Sequence, residues 1–132
     1  MVLIFIATDI VDNECLLDDN KFFKTYITVD KDGFWGVESC FFEDTNLSTL
    51  LDFIFQKQIS IDHICITNNR QLIELSKYKN NCINFEQLEE QYPQWIELTQ
   101  RDNTMDEYGT ILGIIGYINR NQHKKHLILK VE

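Results

Sequence analysis

The stretch Val2–Asp9, VLIFIATD, begins with six apolar residues in a row and turns polar only at Thr8 and Asp9. An apolar run of this length without alternation is typical of a β-strand that is covered on both faces. The sequence therefore predicts that this segment is the central strand of a sheet and that it ends in a carboxylate, Asp9.

The size and composition of the chain predict one globular domain spanning residues 1–132. The chain has 44% hydrophobic residues, one proline and five glycines, which argues against disorder and against a Pro/Gly-rich linker. Its four cysteines form no CxxC pair, which excludes a zinc motif of that type. Read as free thiols, the cysteines predict a cytoplasmic location. The apolar N-terminus is too short for a membrane span and lacks the basic flank of a signal peptide.

The first half of the chain predicts strands, a hairpin and helices around the opening strand. An acidic loop leads to two strands, 22–29 and 34–42, which form a hairpin around the turn 30–33. Apolar residues at helical spacing predict a helix over 47–57. A further apolar strand follows over 60–67.

The second half contains one segment that the pattern leaves open. We expect a helix over 68–78, a short helix that Pro93 ends, and a short strand at Trp95–Thr99. Tyr108–Ile118 fits a helix, but its β-formers and three glycines also fit a strand. On the strand alternative, His126–Val131 pairs back with it as a hairpin.

The predicted order of elements is βββαβαβα, which is an α/β fold with a mixed five-stranded sheet and helices on its faces. The alternative is an α+β fold with a C-terminal hairpin. The βββαβαβα order resembles the ribonuclease H fold over residues 1–118.

Four landmarks contribute to the resemblance to the ribonuclease H-like superfamily. They are Thr8-Asp9 at the end of the first strand, the turn Asp30–Trp35, the strand end Ile64–Asn69, and Arg101–Asp106, which is similar to the family's Arg-Asn-Ala-Asp signature. The resemblance implies a metal-dependent nuclease that hydrolyses a phosphodiester. On that hypothesis Asp9 and Asp106, aided by Glu43 or Asp44, would bind Mg or Mn.

The sequence departs from the family in its carboxylates. Asn68 stands where the family has an aspartate, and the predicted first helix has Leu50 and Leu51 where an inward glutamate is expected. The set of metal ligands is therefore incomplete. This favours a protein that is not an enzyme and needs no cofactor, although the activity stays open.

The charge distribution predicts a different function. The net charge is −9, and the first 52 residues alone hold 11 acids and 3 bases. Such a surface repels nucleic acid and favours a basic protein partner. We therefore expect an acidic, cytoplasmic protein-protein interaction module that neutralises or docks on a basic protein, as an immunity protein or other inhibitor of a nuclease toxin does. The predicted contacts are acids near the N-terminus and one aromatic anchor: Asp12, Glu14, Asp18, Asp19, Glu43, Asp44 and Trp35.

Overall fold

A computed structural model of the protein describes residues 2–26, 33–38, 46–67, 70–100 and 105–132. The strands and helices in these ranges follow one another along the chain as β1 (Val2–Thr8), α1 (Asn13–Leu17), α2 (Asp19–Tyr26), β2 (Trp35–Glu38), α3 (Leu47–Ile54), β3 (Asp62–Thr67), β4 (Arg70–Glu74), a 3₁₀-helix (Ser76–Asn81), α4 (Phe85–Thr99), α5 (Met105–Arg120) and β5 (His126–Val131).

The strands form one antiparallel sheet in the order β2-β1-β5-β4-β3. The expectation of a five-stranded sheet with helices is confirmed, but the sheet is antiparallel where a mixed one was predicted. β1 pairs with β5 from Leu3↔Val131 to Thr8↔His126. The central position therefore belongs to β5, and β1 is its neighbour.

β1 is buried on both faces of the sheet, as its apolar run predicts. Leu3 and Phe5 belong to the larger apolar cluster, which lies between the sheet and helices α3, α4 and α5. Ile6 belongs to a smaller cluster on the other face, beneath α1 and α2. A strand with neighbours on both edges and side chains buried on both faces needs apolar residues at nearly every position.

Helices α4 and α5 are joined by a buried polar contact within the larger cluster. The indole Nε1 of Trp95 donates a hydrogen bond to the carboxylate of Glu107, and both side chains are at most 1% exposed. Phe53 of α3 packs against Trp95 with ring centroids 5.0 Å apart. Trp95 therefore connects three helices, and its indole N–H has the partner that a buried tryptophan requires.

The segment predicted as an acidic loop followed by a strand is helical. α1 and α2 occupy residues 13–17 and 19–26, so the predicted strand at 22–29 is wrong for residues 22–26, and 27–32 lie outside the described residues. Asp18 accepts a hydrogen bond from the N–H of Lys21 and caps α2. This cap and the burial of Phe22 against the sheet outweigh the alternating pattern.

The helix predicted over 68–78 is wrong for residues 70–75, and residues 68–69 lie outside the described ranges. Residues 70–74 form β4, which pairs with both β3 and β5, and only the 3₁₀-helix at 76–81 follows. Leu72 and Ile73 are both fully buried, but in different clusters on opposite faces of the sheet. Two adjacent apolar residues are compatible with a strand buried on both faces and also with the buried side of a helix. Pairing with β3 and β5 therefore decided that this segment is a strand.

Pro93 does not end α4, and the predicted strand at Trp95–Thr99 is wrong. The helix runs from Phe85 to Thr99 with Pro93 inside it. Leu88, Tyr92 and Trp95 lie on its buried side. Packing of these side chains offsets the cost of a proline in a helix interior, about 3 kcal/mol.

Tyr108–Ile118 is helical, which decides between the helix and the strand that the sequence left open. The helix expected over 47–57 is confirmed for residues 47–54 as α3, the strand over 60–67 for residues 62–67 as β3, and the strand over 34–42 for residues 35–38 as β2. The remaining residues of 34–42 that follow β2 lie outside the described ranges.

β5 pairs with β1 and β4, so the C-terminal hairpin of the α+β alternative is wrong. The order βββαβαβα is also wrong, and the ribonuclease H-like fold is not confirmed. In the described ranges no helix has the length and apolar character needed to cross a membrane.

Candidate functional site

Asp9, the first predicted metal ligand, is held by the turn before β5. Its Oδ1 accepts a hydrogen bond from the backbone N–H of Lys125 at 2.9 Å. This hydrogen bond, with smaller contributions from the charges of Lys124, Lys125 and His123, lowers the pKa of Asp9 below its ordinary value of 3.8. Asp9 is therefore an ionised, exposed carboxylate with a structural partner.

Asp106, the second predicted ligand, lies at the opposite end of α5 from the turn that holds Asp9. The hydroxyl of Tyr117 accepts a hydrogen bond from the N–H of Ala7, so the end of β1 lies beside the C-terminal half of α5. Asp106 is in the first turn of α5, about 16 Å along the helix axis from Tyr117. The structure does not bring Asp9 and Asp106 together.

The third predicted ligand, Glu43, and its neighbour Asp44 lie outside the described residues. Among the residues that the structure does describe, no group of three or more His, Cys, Asp or Glu side chains is placed to hold a metal ion.

The acids predicted to contact a partner in the N-terminal region support α1 and α2. Asp12 caps α1 by accepting hydrogen bonds from the N–H groups of Glu14 at 3.0 Å and Cys15 at 3.3 Å. Asp18 caps α2, and Glu14 forms an ion pair with Lys21. These carboxylates are exposed, but each has a role within the chain, as a helix cap or in an ion pair, that does not require a partner protein.

Asp19 is also paired within the chain. Both of its carboxylate oxygens accept hydrogen bonds from Nη2 of Arg70, at 3.0 and 3.1 Å. This contact joins α2 to β4, so Asp19 contributes to the attachment of the helix.

Trp35, the predicted aromatic anchor, is 37% exposed. Its indole packs on α5 at Gly113. A Cβ atom at position 113 would lie only 2.9 Å from Cε2 of Trp35, which is closer than van der Waals contact allows. The side chain is therefore partly used for packing, and the remainder of its surface faces solvent.

The outer side of α4 carries a second acidic surface, which the contacts predicted from the sequence do not include. Four exposed glutamates lie within an arc of about 100° on this helix and span about 16 Å of its length. We call them the α4 acidic face: Glu86, Glu89, Glu90 and Glu97.

The α4 acidic face has no internal charge partner in the described part of the chain. Its four side chains form no hydrogen bond or ion pair with any described residue. Two exposed apolar side chains border it at the two ends of α4, Phe85 at 50% and Leu98 at 66% exposure. An unpaired acidic strip on an exposed helix can be matched by a complementary basic surface of another protein.

The sequence contained a signal for this surface. Glu86, Glu90 and Glu97 recur at helical spacing opposite the apolar positions of the same segment. Ending the helix at Pro93 hid the pattern, because Glu97 and Leu98 then fell in a strand.

Comparisons with protein-family models, with characterised proteins and with solved structures find no match to this chain.

Proposed function

We propose that the chain is an acidic protein-binding module that docks on a basic protein through the α4 acidic face. The observation that carries this proposal is the set of four exposed glutamates, which are unpaired among the described residues while most of the N-terminal acids have internal partners. Carboxylates without internal partners are free to pair with Lys and Arg of another protein.

The overall charge supports the same class of partner. A net charge of −9 attracts a basic protein over long distances and raises the rate of encounter. A module that covers a basic surface, as an inhibitor or immunity protein covers the active site of a nuclease toxin, needs this property and needs no catalytic group of its own. A cytoplasmic location, which the free thiols of Cys15 and Cys82 favour, is part of the proposal.

The ribonuclease H-like nuclease has less support. Its two described ligands, Asp9 and Asp106, are separated by most of the length of α5, whereas two carboxylates that share one cation lie within a few ångströms of each other.

The test is a pull-down at low salt with two charge-matched variants. Glu89→Gln with Glu90→Gln removes two charges from the α4 acidic face, and Glu14→Gln with Asp62→Asn removes two exposed charges elsewhere. We expect wild type and the second variant to recover the same basic protein and the first variant to lose it.

Two results would contradict the proposal. One is equal recovery of the partner by both variants, which would place the interface away from α4. The other is a partner that is itself acidic, because charge complementarity would then be absent.

A further inference from the structure

Within the described ranges, the two faces of the sheet bury different numbers of apolar side chains. Among the described residues, the cluster beneath α3, α4 and α5 contains 24 buried apolar side chains, and the cluster beneath α1 and α2 contains five. We call residues 13–26, which form α1 and α2, the cover. The cover contributes two of those five side chains, Leu16 and Phe22, and Cys15 and Leu17 pack against the same cluster while partly buried. Among the described side chains, the cover therefore buries less apolar surface than the helices on the other face.

An arginine on β4 attaches the cover to the sheet. Arg70 donates to the carbonyl oxygen of Leu17 at the end of α1 and to both carboxylate oxygens of Asp19 in α2. The Nε of Arg70 also lies 3.5 Å from Oε1 of Glu132, next to the end of β5. One guanidinium therefore holds both helices of the cover, and Asp19 supplies the only charged group on the described part of the cover that pairs with the sheet.

Beneath the cover lies a buried cation, Lys130 on the central strand β5. Its side chain is 1% exposed, and its Nζ lies 2.9 Å from Glu132 Oε1, 3.9 Å from Asp19 Oδ1 and 4.4 Å from the ring centroid of Phe22. Burial of an ammonium group is costly even when it is paired. Opening of the cover returns Lys130 to water, so part of the cost of opening is offset.

The chain that leads into the cover from β1 is not packed into the core. Ile10 and Val11, which precede α1, are 53% and 38% exposed. A change in the direction of this connection therefore disturbs few apolar contacts.

We propose that the cover opens as a unit while the sheet and the larger core stay folded, and that Asp19 is its latch. Segments with few buried apolar contacts open locally at lower free energy than the whole domain unfolds. The open form exposes an apolar strip, Ile6, Leu72 and Ile128, with the cations Lys130 and Arg70 beside it.

The test follows the accessibility of Lys130 in the full chain. An amine-reactive reagent labels Lys130 only when the cover is open, and mass spectrometry of the Lys130 peptide gives the rate. Hydrogen exchange measured on the same protein reports the opening of residues 13–26 and of α3 and α5 separately.

Two matched substitutions distinguish the loss of the proposed latch from the loss of an ion pair elsewhere on the surface. Asp19→Asn weakens the contacts with Arg70 and Lys130. Asp62→Asn breaks an exposed ion pair elsewhere, between Asp62 of β3 and Lys77 of the 3₁₀-helix, in which the two charged atoms lie 2.8 Å apart. We expect Asp19→Asn to raise both Lys130 labelling and exchange of residues 13–26 about three- to tenfold, since an exposed charge-assisted contact contributes about that factor. Asp62→Asn should change neither by more than about twofold.

Either of two results would overturn the proposal. In the first, Lys130 reacts only at the rate of global unfolding. In the second, Asp19→Asn accelerates exchange equally in the cover, α3 and α5, which would show that the cover opens only with the whole domain.

Discussion

At the scale of single residues, Tyr117 shows how one buried hydroxyl extends a sheet. β2 pairs with β1 only as far as Phe5↔Trp35. Beyond that point the hydroxyl of Tyr117 accepts from the N–H of Ala7 at 2.8 Å and donates to the carbonyl of Gly33 at 2.9 Å. The hydroxyl therefore satisfies two backbone groups to which the β1–β2 pairing does not extend.

Removing this hydroxyl tests its contribution to stability. Tyr117→Phe keeps the ring but leaves the N–H of Ala7 and the carbonyl of Gly33 without this partner. We expect the free energy of unfolding to fall by about 1–3 kcal/mol, measured by urea denaturation.

Tyr108→Phe is the matched control, because Tyr108 lies in the same helix, is only half-buried and its hydroxyl forms no hydrogen bond with the described residues. It should change the free energy of unfolding by less than about 0.5 kcal/mol. Equal losses in the two variants would show that the hydroxyl of Tyr117 is not specifically required.

At the scale of secondary-structure elements, the glycines of α5 have different roles. A Cβ atom at Gly109 would meet nothing within 4 Å, whereas at Gly113 it would overlap the indole of Trp35. Gly113 therefore allows β2 to approach α5 closely, and Gly109 has no packing reason in the described structure.

This difference predicts opposite effects for the same substitution in one helix. Gly109→Ala should stabilise the protein by about 0.5–1 kcal/mol, because alanine favours helix and no clash results. Gly113→Ala should destabilise it by about 1–3 kcal/mol through overpacking. Thermal unfolding measures the change in stability of both variants. Gly109→Ala is the control, because it shows how much stability the higher helix propensity of alanine alone contributes.

Fluorescence gives an independent check of the cause. Trp35 and Trp95 are the two tryptophans of the chain. Gly113→Ala should displace Trp35 into water and shift the emission to longer wavelength, while Gly109→Ala should leave it unchanged. An unchanged spectrum for Gly113→Ala would contradict the packing of Trp35 on α5.

At the scale of the whole molecule, charge is divided between internal contacts and an outer surface. Many acids near the N-terminus cap helices or pair with bases, while the α4 acidic face has no partner among the described residues. On the proposed function, the net charge of −9 attracts the basic partner and the α4 acidic face supplies the contacts.

This division predicts how salt affects binding. Association of the chain with the basic protein recovered in the pull-down should slow by at least about tenfold between 50 and 300 mM salt, because salt screens the attraction that steers encounter. Glu89→Gln with Glu90→Gln should lower the association rate at 50 mM salt and reduce its salt dependence, as measured by stopped-flow fluorescence. A rate that does not depend on salt would contradict electrostatic docking.

Part of the candidate site was accessible from the sequence. The acidic composition, on which the proposal of a basic partner rests, depends only on residue counts, and the glutamates of α4 recur at helical spacing. The internal pairing of Asp19 with Arg70 was not accessible, because these residues are 51 positions apart and only the packing of α2 on the sheet brings them together.

The sequence by itself determined that β1 is buried on both faces and that α3 and β3 have the type predicted. These segments have long or regular apolar patterns, which local physics translates directly into structure. Only the tertiary structure decided that 22–26 is helical, that 70–74 is a strand, that α4 continues through Pro93, and that β5 takes the central position. In each of these segments burial against distant residues outweighed the local preference, because packing free energies exceed differences in intrinsic propensity.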